Sequence, residues 1–405
     1  MKTKFKWLLS GVFLIAAMFM LSACASKGVP SDNITDEVMS AMGSVEEETD
    51  RVMTGNEVID GTADIMIEKT KYQERAREIL DSMTLEEKVG QMFFVRHSGE
   101  MAESYIEKYN IGGFVMFGTD FENSDPDVFR DMVSNYNAIS KYPLLIGVDE
   151  EGGTVVRASK YPQFREESFK SPRELYNEGG MDLVIEDAKE KSRFLKDLGI
   201  NVNLAPVCDI STNESDFMYD RSIGLDAHET AMYVVNMVNV MRYEGIGSVL
   251  KHFPGYGENG DTHTGIAIDD RSLEYLKEND LVPFAAGIEN GCGAILVSHN
   301  TVNVFDSQNP ATLSENVHLY LRNEMGFNGV IITDDMAMGA ISDYSVGDAA
   351  VKAVLAGNDI LITSDIETQY NAVMEALSIG EIGDNRIDES AYRVILWKLK
   401  MGIIK

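Results

Sequence analysis

Asp261 and His263 stand two residues apart in the stretch Lys251-His252-Phe253-Pro254-Gly255-Tyr256-Gly257-Glu258-Asn259-Gly260-Asp261-Thr262-His263-Thr264-Gly265. In extended backbone that spacing puts both side chains on one side, where a carboxylate orients an imidazole and tunes its proton affinity. The pair has the makings of an acid/base unit. Asp, Asn, Gly and Thr are also turn formers, so a solvated turn fits the same residues. The apolar run from Gly247 to Leu250 just before it reads as a buried strand, which would end in this glycine-rich polar loop. α/β proteins commonly keep their chemistry at such places.

Other polar groups follow other apolar runs. Asp149-Glu150-Glu151-Gly152-Gly153 comes after Leu144–Val148, Asp209 after Val202–Pro206, Lys251 and His252 after Gly247–Leu250, Ser298-His299-Asn300 after Ala294–Val297, and Asp334 and Asp335 after Val330–Thr333. A single acidic residue after a strand is most often a helix cap. Five strands feeding polar groups to the same end are better explained by a shared pocket.

The elements that would position these groups can be counted. Strand-like runs occupy Gln91–Val95, Gly113–Phe117, Leu144–Val148, Val202–Pro206, Gly247–His252, Ala294–Ser298, Val330–Thr333 and Asp359–Thr363. Amphipathic stretches lie between them: Asp127–Ile139, Asp182–Leu198, Ala227–Tyr243, Leu273–Glu289, Ser314–Met325 and Ala349–Leu355. Short, continuously apolar runs are the mark of strands buried on both faces, and alternation with helices requires parallel crossovers. Eight such units predict an α/β fold, a (β/α)8 TIM-type barrel, over an open doubly wound sheet. Ahead of the barrel a helix is expected from Gln73 to Met83, and Thr84 with Glu87 matches a capping box for the next one.

Several chemistries are disfavoured. Gly255-Tyr256-Gly257-Glu258-Asn259-Gly260 matches G-x-G-x-x-G, but no helical pattern opens at Gly260, so dinucleotide binding is rejected. There is no P-loop, and no cofactor is expected. The first strand offers only His97 beyond its end, and Cys208 and Cys292 have no partners at zinc-ligand spacing, so no metal site is expected. A formal net charge of −31 argues against nucleic acid. What remains is a mouth of carboxylates, histidines, Lys251 and Arg221 suited to a polyhydroxylated ligand. Glycoside cleavage, which pairs a nucleophilic carboxylate with an acid, fits it; Asp334 could supply the carboxylate and His263 the acid.

The front of the chain is built differently. Lys2, Lys4 and Lys6 precede an apolar run from Trp7 to Leu21 and then Ser22-Ala23-Cys24, the layout of a secretory signal. Leu21-Ser22-Ala23-Cys24 resembles a bacterial lipobox, which implies a signal peptide over 1–23, lipidation at Cys24 and attachment to the membrane on its extracytoplasmic face. Residues 24–70 are acidic and poor in aromatics, and read as a flexible tether to a catalytic domain over 71–405. A monomer is expected.

Lys251 to Gly265, Val148 to Gly153, Arg221-Ser222-Ile223-Gly224 and Ile332-Thr333-Asp334-Asp335-Met336-Ala337-Met338 together resemble the signatures of family 3 glycoside hydrolases, nearest the bacterial β-N-acetylhexosaminidase branch. The similarity runs from about Leu80 to Leu377. It implies a retaining exo-β-N-acetylglucosaminidase acting on an N-acetylglucosamine-containing oligosaccharide, from peptidoglycan or chitin. It implies Asp334 as nucleophile, His263 paired with Asp261 as acid/base, and Asp149, Arg157, Arg221, Lys251 and His252 as sugar-binding residues. The chain departs from the family pattern at Tyr256, Glu150 and Ile223. A β-N-acetylglucosaminide phosphorylase, a glucosaminidase that also accepts glucosides, and a non-catalytic sugar-binding lipoprotein are the alternatives. Alternation along a strand would let only one of Asp334 and Asp335 face the pocket, and the resemblance selects Asp334.

Overall fold

The computed structural model describes residues 57–257, 267–341 and 344–405, with side chains from Thr70 onward except at Ala340. Cys24, the signal peptide expected over 1–23 and the expected acid/base pair Asp261 and His263 lie outside the described residues. By contacts the chain divides into Met1–Thr70 and Lys71–Lys405. A helix spans Glu57–Ser82, starting upstream of Gln73, so residues 57–70 of the segment read as a tether are helical. Among the described residues no helix is long and apolar enough to cross a membrane.

Within Lys71–Lys405, eight parallel strands close into a barrel: β1 Phe93–Arg96, β2 Gly113–Met116, β3 Leu145–Val148, β4 Val202–Asn203, β5 Gly247–Phe253, β6 Ala294–Val297, β7 Val330–Asp335 and β8 Ile360–Thr363. The ring order is β1-β8-β7-β6-β5-β4-β3-β2, every neighbour parallel. This is the (β/α)8 barrel expected from eight apolar runs, and the open-sheet alternative falls. The largest boundary difference is at β4, where regular pairing ends at Asn203, short of the expected Pro206, and resumes only as a bridge between Val207 and Lys251 of β5. Proline has no N–H to give to a ladder, so regular pairing is interrupted at Pro206.

The strands are buried on both faces, which explains their continuous hydrophobicity. Inward side chains, among them Phe94, Val115, Leu145, Val249, Leu296 and Ile332, fill the barrel itself. A Cβ at Gly147 would lie 2.4 Å from Phe94 Cζ, so glycine in β3 makes room for that ring. Outward residues pack under the helices in two further clusters.

The helices begin where their caps predict. Thr84 and Glu87 form the expected capping box, and Asp125 caps Pro126–Ile139 with proline at the first position. The helix expected from Asp182 continues a preceding segment, and together they span Pro172–Asp197. Gly179 and Gly180 (φ 67°) break it internally, which is why helical periodicity was legible only beyond them. The stretch Leu273–Glu289 is two helices, Leu273–Glu278 and Leu281–Glu289.

On the last helix, Asp384–Lys400, Lys398 is fully buried and its Nζ donates to Gln91 Oε1 at 2.7 Å. Burial pushes its pKa down to about 7. In the unfolded chain a lysine titrates near 10.4, so between pH 7 and 10 the unfolded state binds more protons and stability rises with pH. Urea unfolding of the wild type is therefore expected to gain about 1 kcal/mol per pH unit relative to Lys398→Met across that window. Parallel curves for the two proteins would refute a buried, deprotonating Lys398.

Candidate active site

The C-terminal ends of the strands surround a cavity of about 490 Å3. Asp149, Arg157, Arg221, Lys251, His252 and Asp334 all line it, so it gathers every described residue that the sequence singled out for catalysis or sugar binding.

β5 reaches Phe253 and presents Lys251 and His252 at the mouth; the peptide between them is cis. Lys251 Nζ lies 2.7 Å from Asp149 Oδ1 and 2.6 Å from Glu151 Oε1. Asp149 and Glu151 are two apart just after β3, and this spacing lets one ammonium reach both. Arg221 grips the same Glu151 through two bonds, Nε to Oε2 at 2.9 Å and Nη2 to Oε1 at 2.7 Å. Burial alone would raise the Glu151 pKa, but Arg221 and then Lys251 outweigh it and hold the carboxyl well below the usual range. Burial likewise opposes ionisation of Asp149, where Lys251 and Arg157 prevail. Glu151 is thus the shared anion that fixes both cations.

His252 is oriented by Asp209, which follows β4. Asp209 accepts from the His252 backbone N–H at 3.0 Å and from Nδ1 at 2.8 Å, and its other oxygen accepts from the Tyr256 N–H at 2.8 Å. Arg221 Nη2 lies 3.1 Å from His252 Nε2 and can only donate, so Nε2 accepts and Nδ1 carries the proton. Arg157 approaches Asp149 at 3.7 Å, and its buried Nε has no hydrogen-bond partner.

Asp334 and Asp335 close β7, and both contribute to the cavity lining, so the expectation that only one would face it is corrected. Pairing between β7 and β8 shifts register between Ile360 and Ile362, beside Asp335, and such an irregularity breaks strict alternation. Asp334 Oδ1 accepts the Asp335 N–H, and Asp335 Oδ1 accepts the Ala337 N–H. Burial, then the charge of Asp334, raises the Asp335 pKa.

Sequence reading assigned no role to Glu151, Asp209 or Arg271. The first two sat in segments already noted at strand ends, and the Asp149/Glu151 spacing was a usable signal. Arg271 had none. It bridges Asp269 and Asp280 at 2.7–2.9 Å, with Nη2 3.5 Å from Gly255 O, and a Cβ on Gly257 would come within 2.5 Å of its Cζ. It therefore braces the described residues on both sides of 258–266.

A family model, the glycosyl hydrolase family 3 N terminal domain, matches residues 84–396, the span that carries the barrel and this cavity. The chain belongs to glycosyl hydrolase family 3. Among family members it is 31% identical over 310 residues to β-hexosaminidase LpqI of Mycobacterium tuberculosis, covering 73% of this chain and 78% of that protein. The solved family 3 β-N-acetylglucosaminidase of a Paenibacillus species superposes with a TM-score of 0.74 at 30% identity, over 79% of this chain and 63% of that one. A family 3 member from Mycobacterium smegmatis gives 0.72 at 31% identity, over 78% and 98% respectively.

The departures from the family pattern now have physical roles. Tyr256 is buried, with its ring edge-on to His252 at 5.3 Å and tilted against Phe217 at 5.6 Å. Glu150 is engaged elsewhere than Lys251 and Arg221: its carboxylate accepts from the backbone N–H groups of Arg157, Ala158 and Ser159 and from the Ser159 hydroxyl. It shapes the loop that carries Arg157. Ile223 is buried in the core.

Proposed function

We propose that the protein is a retaining exo-β-N-acetylglucosaminidase that removes terminal N-acetylhexosamine from peptidoglycan fragments or chitooligosaccharides. The observation that carries this reading is the single cavity lined by Asp334 together with Asp149, Arg157, Arg221, Lys251 and His252. Its volume suits one sugar ring with part of a leaving group. The relatives named β-hexosaminidase and β-N-acetylglucosaminidase support the acetamido sugar as the one it holds.

In this mechanism Asp334 attacks the anomeric carbon as the glycosidic C–O bond breaks, giving a covalent glycosyl-enzyme. His263, polarised by Asp261, gives its proton to the departing oxygen. The same imidazole then takes a proton from water, which attacks the anomeric carbon, releases Asp334 and leaves the configuration retained. Asp149 and the His252 ring, the cations Lys251, Arg221 and Arg157 beside them, bind sugar hydroxyls and the acetamido group.

Export as a lipoprotein, with Cys24 lipidated and the catalytic domain outside the cytoplasmic membrane, belongs to the same proposal and rests on the lipobox-like Leu21-Ser22-Ala23-Cys24. Residues 68–405 are expected to hydrolyse 4-nitrophenyl N-acetyl-β-glucosaminide and to leave the β-glucoside nearly untouched, with no dependence on added phosphate. Phosphate-dependent release of a sugar 1-phosphate would convert the assignment to a phosphorylase. Inertness under both conditions would leave a sugar-binding role.

A further inference from the structure

His299 follows β6, is fully buried and does not line the catalytic cavity, so the mechanism above gives it no part. Its ring joins two elements. Nδ1 lies 2.8 Å from the hydroxyl of Thr312, in the turn Ala311–Leu313, and Nε2 lies 3.0 Å from the backbone carbonyl of Asp335, at the end of β7.

The partners fix how many protons the ring carries. A carbonyl oxygen only accepts, so Nε2 must hold a proton to bond Asp335. The Thr312 hydroxyl has one proton of its own, and its oxygen is 2.5 Å from Ser298 O and 3.1 Å from Val297 O. Two oxygens at the shorter of these distances have a proton between them, so the hydroxyl donates to a carbonyl and offers His299 only a lone pair. Nδ1 must then donate as well. Either neutral tautomer would set two lone pairs against each other at hydrogen-bond distance; the imidazolium alone satisfies both contacts.

A buried charge needs a counter-charge, and the end of β7 supplies it. Besides its burial and its bond from Ala337, Asp335 feels the charges of Asp334, of Arg96 at the end of β1 and of His299. We infer that His299 is a positively charged positioning residue: its imidazolium holds the carbonyl of Asp335, and with it the strand end that carries Asp334, and keeps the Asp334 carboxylate ionised. The effect on Asp334 rests on the glycosidase reading above, whereas the charge on His299 does not.

Nitrogen-15 NMR of the histidine-labelled protein reads the charge directly. The chain has six histidines, and contact of a ring proton with the Thr312 side chain identifies His299. At about pH 7.5, where an ordinary histidine is mostly neutral, His299 is expected to show two protonated ring nitrogens. A bare ring nitrogen on His299 would overturn the inference.

Kinetics then tests the role. The acid limb of kcat/KM for the aryl N-acetyl-β-glucosaminide reports ionisation of the nucleophile in the free enzyme. His299→Gln keeps a donor for the Asp335 carbonyl and removes the charge. Losing a positive neighbour raises a carboxyl's pKa, so the limb should move up by about one pH unit. His299→Ala, which also frees the carbonyl, should move it as far and lower kcat further at every pH. Variants that lose activity equally at all pH values, with the limb unmoved, would reduce His299 to a packing role and overturn the inference. A wild type that cleaves no glycoside would overturn the glycosidase reading, and the nitrogen spectrum would still decide the charge.

Discussion

Asp334→Ala is expected to lower turnover of the aryl N-acetyl-β-glucosaminide by about 10⁴-fold or more, while the protein unfolds at nearly the wild-type temperature. Losing a nucleophile removes the covalent route altogether, and effects of this order follow in enzymes that depend on one. Stability should change little, because the Asp334 carboxylate holds one local bond, from the Asp335 N–H. Asp335 is the control that makes the experiment decisive. It lines the same cavity one residue away, but burial and the neighbouring Asp334 charge raise its pKa. A carboxyl biased toward its neutral form is a poor nucleophile. Asp335→Ala should therefore cost far less than Asp334→Ala, and azide should restore turnover only in the Asp334 variant, by attacking the carbon that the missing carboxylate no longer reaches. Equal losses without azide rescue, or a rescue confined to the Asp335 variant, would move the nucleophile to another residue.

That choice between neighbours shows where sequence reasoning stops. The eight strands were legible because burial on both faces leaves each one continuously apolar, and the observed strands fall within a few residues of the runs from Gln91–Val95 through Asp359–Thr363. The cavity was legible too, since a barrel sends its strand ends to one mouth. Contacts made by the polar residues with each other were not. Glu151 looks in sequence like one more acid in an acidic chain, and only the fold brings it between Lys251 and Arg221. Arg271 gave no signal because its partners, Asp269 and Asp280, are ordinary surface residue types whose burial comes from tertiary packing. The register shift beside Asp335 is similarly a property of two strands together, and one strand's alternation cannot reveal it.

Glu151→Gln should be the most damaging change among residues that do not touch the reacting atoms. The amide keeps the size and removes the charge that Lys251 meets at 2.6 Å and Arg221 through two bonds. Lys251 is buried and Arg221 largely so, and leaving a buried charge uncompensated costs about 3–5 kcal/mol. That loss should appear in urea unfolding at pH 7. It should shrink in acid, because the wild-type carboxyl has its pKa held down in the fold: the stability it contributes is present above its unfolded pKa, near 4.3, and is lost as pH falls below it. The curves for wild type and Glu151→Gln should accordingly begin to approach each other below about pH 4 and meet only at the much lower pH where the folded carboxyl itself takes up a proton. Activity should fall chiefly through KM, since the variant releases Lys251 and Arg221 from their positions but leaves Asp334 in place. A variant with wild-type stability and KM would show that the two cations are fixed by other groups. In a double-mutant cycle with Arg221→Leu, a coupling of about 1–3 kcal/mol is expected between Glu151 and Arg221, and a coupling near zero would mean that the bidentate contact does not hold in solution.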